Sequence, residues 1–257
     1  MSIDHLKKQA KNLHKLLPEF VQKHGLGTLK LSDCQELIAQ INGYGSWHSA
    51  VNQGTRPRFA QVVLTDFYEV YFEKSSSQDV TASGNVRRGS NTFAMLYPRD
   101  YDQLELATDE LDEILDAPDW PDSPDTKPSA QACRSRVARC EKLIAKYPGL
   151  IDGYAHWAIG MSHQGQHRET AECLQPIFDQ LITMFSGSSD VRLPYSSLEN
   201  RPIHRLAHSL VFANYKLATV EGAAKAKSVA TTMLKLWPND NIGFRYLLDG
   251  LDTPDLA

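Results

Sequence analysis

The chain is predicted to be mainly α-helical, with a small three-helix N-terminal module ahead of a domain built from α-hairpins. Apolar residues recur at three- and four-residue steps near the N-terminus and again through the second half, the spacing of one buried helix face. Residues that stop helices punctuate those stretches, among them "NGYG" at 42–45, Pro148, Gly165 and Pro238. The second half falls into helix–turn–helix pairs, each of which needs a neighbour to cover its apolar face.

The first region, residues 1–54, opens with Ile3, Leu6, Ala10, Leu13, Leu17 and Phe20 on one helix face and Lys8, Lys11 and Lys15 on another. Ser32 ahead of "DCQELIAQI", with Gln35 three residues on, reads as a capping box for a second helix. "NGYG" ends that helix with residues that tolerate positive φ. "SWHSAV" reads as a short third helix, with Trp47 in the module's core.

Residues 55–128 are harder to read. "RFAQVVLTDFYEVYFEK" is rich in β-branched and aromatic residues, yet Val63, Phe67, Val70 and Tyr71 also fit a helical stripe, and the expectation leans to helix. "SSSQDVTASGNVRRGSN" reads as a loop. "RDYDQLELATDELDEILDA" is an acidic helix with Leu104, Leu111 and Leu115 on one side, and the proline-dense "PDWPDSPDTKP" reads as a linker.

Residues 129–257 carry the hairpins. A helix with Ala132, Val137, Cys140, Leu143 and Ile144 on one face stops at Pro148. A pair that turns at Gly165 follows, then a pair that turns at "TVEG" and stops at Pro238. Asn200 is placed to cap one helix, with Pro202 in its first turn, and Asp240 to cap the last, with Gly243 allowing a close helix approach.

Two stretches resemble known families. "LSDCQELIAQINGYGSWHSA" is similar to a small helical module of bacterial proteins filed under a glyoxalase-related label. It has neither the strands nor the metal ligands that glyoxalase chemistry requires. "NRPIHR", followed by "PNDNIGFR", resembles the end of a family of bacterial tetratricopeptide-like proteins that read NRP-x-x-R and PNDN-x-G-x-R. The residues that match are Asn200, Arg201, Pro202, Arg205, Pro238, Asn239, Asp240, Asn241, Gly243 and Arg245; His204 stands where a large apolar residue is expected. The resemblance implies a helical-hairpin fold and no defined activity.

The formal net charge of −4 does not point to nucleic acid, but charge is unevenly placed: residues 1–58 sum to +4 and residues 99–125 to −10. The N-terminus lacks a signal-peptide pattern, and no apolar run is long enough for a membrane helix. Cys34, Cys133, Cys140 and Cys173 show no C-x-x-C spacing, so buried free thiols in a reducing cytosol are expected rather than zinc or a disulfide. No phosphate-binding, dinucleotide, nucleophile-elbow or zinc-protease motif occurs, and no cofactor is expected. His163/His167 and His204/His208 share the i, i+4 spacing of metal ligands but lack the accompanying Glu, and are expected to be incidental.

Arg201, Arg205 and Arg245 are expected to lock the last helix in place through Glu199 and Asp240. The functional alternative for the same residues is a site for an acidic peptide or phosphate. The whole reads as a non-enzymatic bacterial cytosolic adaptor that binds another protein or peptide, with no role at a membrane. The alternative is a regulator that binds nucleic acid through Lys8, Lys11 and Lys15.

Overall fold

The computed structural model describes residues 7–15, 30–41, 47, 59, 62–75, 78–80, 86–88, 91–121, 126–186 and 190–251. They are mainly helical, as expected, with a small sheet. No described helix is long and apolar enough to cross a membrane.

Near the N-terminus, α1 (residues 7–15) and α2 (Leu31–Ile41) are helical. Ala10, Ile38 and Ala39 are buried together, with Leu13 and Trp47 against them. The start of α2 differs from the expected capping box: the Lys30 N–H donates to Asp33 Oδ2 (2.8 Å), two residues ahead of the Ser32/Gln35 pair. Ile3, Leu6, Leu17, Phe20 and the expected third helix apart from Trp47 lie outside the described residues.

The helical reading of 58–74 is corrected over its described residues. After a 3₁₀ turn at Leu64–Asp66 the chain forms β1 (Tyr68–Ser75). The segment expected to be a loop contains β2 (Gln78–Val80) and β3 (Val86–Arg88), paired antiparallel, and β4 (Asn91–Pro98) follows. β1 and β4 run antiparallel from Tyr68↔Pro98 to Ser75↔Asn91. A later two-residue strand, β5 (Val191–Arg192), joins β4 in parallel. The proposed helical stripe does not exist as a face, since Val63 and Tyr71 are exposed. The inward set is Tyr68 of β1 with Ala94, Leu96 and Pro98 of β4, which alternate with the less buried Phe93, Met95 and Tyr97, the period-2 pattern of a half-buried strand.

The acidic helix is α3 (Tyr101–Leu115), capped by Asp100, which accepts from the Gln103 N–H at 2.9 Å. It buries Ala107, Leu111 and Ile114. The described part of the expected linker is not a free spacer: Pro128 is buried and the Trp120 ring lies 4.0 Å from the Arg136 guanidinium.

Six helices complete the chain: α4 (Ala130–Lys146), α5 (Ile151–His163), α6 (His167–Phe185), α7 (Arg201–Lys216), α8 (Val220–Leu236) and α9 (Phe244–Leu251). Ser129 and Thr219 cap α4 and α8, each accepting from a backbone N–H at 3.0 Å. Gly165, at φ 73, makes the α5–α6 turn as expected. The α7–α8 turn is made instead by Ala218, at φ 50, and Gly222 lies inside α8. Its lack of a side chain is needed for packing: a Cβ there would lie 2.5 Å from the Asn214 carbonyl of α7. The largest fully buried side chains include Trp157, Tyr154 and Phe244, and Leu64 of the 3₁₀ turn with the sheet residues Ala94 and Leu96 belongs to the same core cluster as the hairpins.

Candidate binding groove

The segment from 190 to 205 connects the sheet to the helices. Asn200 was expected to cap α7, but its side chain makes no cap hydrogen bond. It is fully buried and bridges three backbone groups instead, accepting from Leu96 N–H (3.3 Å) and donating to the carbonyls of Ala94 (3.0 Å) and Pro194 (3.2 Å). These groups would otherwise be left unpaired in the interior, which explains why an amide sits there. His204 serves the same segment: it is 2 % exposed, and its Nε2 lies 3.0 Å from the Leu193 carbonyl. With a carbonyl as partner, that nitrogen carries the proton and donates. Burial pushes the His204 pKa down to about 4, so the ring is neutral and occupies the apolar position without a charge.

The arginine expectation is corrected in its partners. Arg205 pairs with neither Glu199 nor Asp240; it forms a bidentate pair with Asp152 of α5, Nε to Oδ1 at 2.7 Å and Nη2 to Oδ2 at 2.6 Å. Glu199 pairs with none of the three arginines. Arg201 donates to the Tyr195 carbonyl (3.2 Å) and lies over the Tyr195 ring. Asp240 caps α9 as expected, accepting from the N–H groups of Gly243, Phe244 and Arg245. Arg245 stays near it, 3.8 Å from Oδ2, and donates to the Pro238 carbonyl. Gly243 is needed for its φ of 92 rather than for a close helix approach.

From Asp152 a polar chain runs on to α4. His156, one turn along α5, has Nε2 3.9 Å from Asp152 Oδ1 and Nδ1 3.4 Å from Arg136 Nη2. Burial brings the His156 pKa to about 4, so the neutral ring accepts from Arg136 and turns its N–H towards Asp152. Arg136 is 8 % exposed, no carboxylate pairs with it among the described residues, and its Nε has no hydrogen-bond partner. Arg136 therefore reaches the Asp152 carboxylate only through the His156 ring.

Asp152 faces Arg205 near the N-terminal ends of α5 and α7, so the two helices run in the same direction. Towards their C-terminal ends they line an open cavity of about 390 Å³. Ile159, Ser162 and His163 of α5 line one wall; His208, Ser209, Phe212 and Lys216 of α7 line the other; His167, the first residue of α6, is at the end. His163 lies edge-on to Trp120 (5.6 Å between centroids), His167 to Phe212 (6.3 Å), and His208 contacts Phe244 (6.2 Å). Burial lowers the pKa of all three, which leaves them neutral near pH 7. No hydrogen bond joins Ser162 or Ser209 to a histidine ring among the described residues. The same residues contain no group of three or more His, Cys, Asp or Glu that could hold a metal.

The expected incidental histidines are thus divided by the fold: His204 faces the buried segment, while His163, His167 and His208 share one cavity. Asp152, His156 and His163 lie at i, i+4 and i+11, one helical face, which was the available signal for this groove. Lys8, Lys11 and Lys15 are exposed on α1, away from the buried Ala10. None of the four cysteines forms a disulfide, and all but Cys173 are buried. No family model, curated protein or solved structure matches the chain.

Proposed function

We propose that the protein is a non-enzymatic adaptor of a bacterial cytosol, that its hairpins are tetratricopeptide-like, and that it holds a peptide segment of a partner protein between α5 and α7. The observation that carries this reading is the cavity itself. It is large enough for one or two side chains, its walls come from equivalent helices of successive hairpins, and it mixes apolar surface from Ile159 and Phe212 with hydrogen-bonding groups. Stacked helical hairpins place such surfaces where an extended or helical segment can lie along them. The test is affinity capture from a bacterial extract with the wild-type chain and with Ser209→Trp, which fills the cavity. Phe212→Ala, which removes the apolar wall, serves as a second variant. Partners retained by the wild type and lost by both variants are the expected result; the same partners on all three would refute the groove as the binding surface.

A second reading, in which the protein binds nucleic acid, is favoured by the exposure of Lys8, Lys11 and Lys15 on one side of α1. It is tested by retardation of a DNA or RNA duplex by the full chain at low salt. Replacing the three lysines by glutamine should abolish the retardation if this reading holds.

A further inference from the structure

The charge of the groove narrows the chemistry of its occupant. Its lining contains one permanent cation, Lys216, three histidines and no carboxylate. The Lys216 ammonium lies 5.3 Å from the Phe212 ring centroid and 5.7 Å from that of Tyr215, and no carboxylate pairs with it among the described residues. His167 Nδ1 is buried without a hydrogen-bond partner. Behind the His163 wall stands the Trp120–Arg136 stack, whose guanidinium is more than nine-tenths buried and has its Nε unpaired.

The charged groups that face two of the three histidines are cations: Lys127 and Arg136 act on His163 and Lys216 acts on His167, whereas the Asp240 carboxylate acts on His208 with the opposite sign. Asp240 is 3 % exposed, and its oxygens are occupied by the three N–H groups at the start of α9. The field at His163 and His167 is positive, and a positive field favours an acidic ligand and disfavours a basic one.

We propose that the segment held in the α5/α7 groove is acidic, with Asp or Glu side chains meeting Lys216 and the histidines while an apolar side chain lies on Phe212 and Ile159. This rests on the peptide-binding reading above and adds the partner's chemistry to it. A carboxylate in the groove accepts hydrogen bonds from the Lys216 ammonium and from whichever histidine nitrogen carries its proton. It supplies the acceptor that Lys216 lacks. Because the rings are neutral near pH 7 and gain charge on acidification, an acidic ligand binds more tightly as pH falls, for as long as its own carboxylates remain ionised.

The test uses a phage-displayed library of random dodecapeptides, selected on the full chain and counter-selected on Ser209→Trp. The affinities of the survivors are then measured for the wild type and for Lys216→Met, a substitution at an exposed position that keeps the length of the side chain. Survivors are expected to be enriched in Asp and Glu, to lose about tenfold or more in affinity on Lys216→Met, and to bind several-fold more tightly near pH 6 than near pH 8. Survivors that are neutral or basic, or that bind Lys216→Met as well as the wild type, overturn the acidic ligand while leaving a peptide-binding groove intact. A library in which nothing distinguishes the wild type from Ser209→Trp overturns both.

Discussion

The paired helices α5 and α7 solve two different problems along one interface. At their N-terminal ends Arg205 and Asp152 meet in a bidentate pair and His156 continues the contact to Arg136. Further along, from His208 within a turn of Arg205 to His163 and Lys216 about three turns on, the side chains face a groove instead of one another. The residue types are the same, arginine or lysine with histidine. What differs is whether a carboxylate of the same chain is present: Asp152 closes the first end, and no carboxylate lines the second. Charged groups paired within the chain hold helices together, whereas charged groups left facing a cavity are available to a ligand.

Acidification should give the largest effect. The folded-state pKa of His156 and of His204 is about 4, below the ordinary value near 6.5. Between these values the unfolded chain binds more protons than the folded one, so stability is fully present above about pH 6.5 and is lost as pH falls towards 4. Each ring contributes on the order of 3 kcal/mol to that loss. Denaturant unfolding at a series of pH values checks it; His204→Leu should be less acid-sensitive than the wild type across that window. Equal sensitivity would show that His204 protonates freely in the folded chain.

Breaking the closed end comes next. Asp152→Ala leaves Arg205 without its carboxylate and His156 without the group its N–H faces, and should destabilise the fold by about 2–4 kcal/mol. Arg205→Ala should add less than its single effect to that variant, because both remove the same pair. Thermal unfolding of the two single variants and the double variant measures the coupling. Full additivity would mean that the bidentate pair does not hold α5 against α7.

The open end should respond in the opposite sense. Lys216→Met and His208→Gln break ring contacts but no hydrogen bond or ion pair among the described residues, and each should change stability by less than about 0.5 kcal/mol. His208→Gln should also reduce the pH dependence of peptide binding while preserving the affinity near pH 8. A large fall in melting temperature for either variant would place these groups with the structural end of the interface.

Much of the helical part was legible in one dimension, because apolar periodicity and helix stops survive without knowledge of the partners. The turn at Gly165 and the capping role of Asp240 follow from local chemistry, and the structure agrees. The strand at 68–75 was not legible, since its identity depends on pairing with 91–98 and both periods fit so short an apolar run. Asn200 shows the same limit: an Asn before a Pro looks like a cap, and only the sheet behind it makes it a bridge between backbone groups. The arginines were legible as a class but not in their pairing, because Asp152 lies far from Arg205 in sequence. The groove was missed because its histidines come from three helices, and the i, i+4 pairs visible in the sequence are not the set that the fold brings together.

The contrast between the two ends is tested most directly by measuring the affinity of one selected peptide for Asp152→Ala and for Ser209→Trp, at a temperature where both variants are folded. Asp152→Ala is expected to bind within about threefold of the wild type despite its lower melting temperature, and Ser209→Trp to lose binding by tenfold or more while remaining stable. The reverse outcome, with binding lost at Asp152 and preserved when Ser209 is replaced by Trp, would contradict the account and move the recognition surface to the polar chain between α4, α5 and α7.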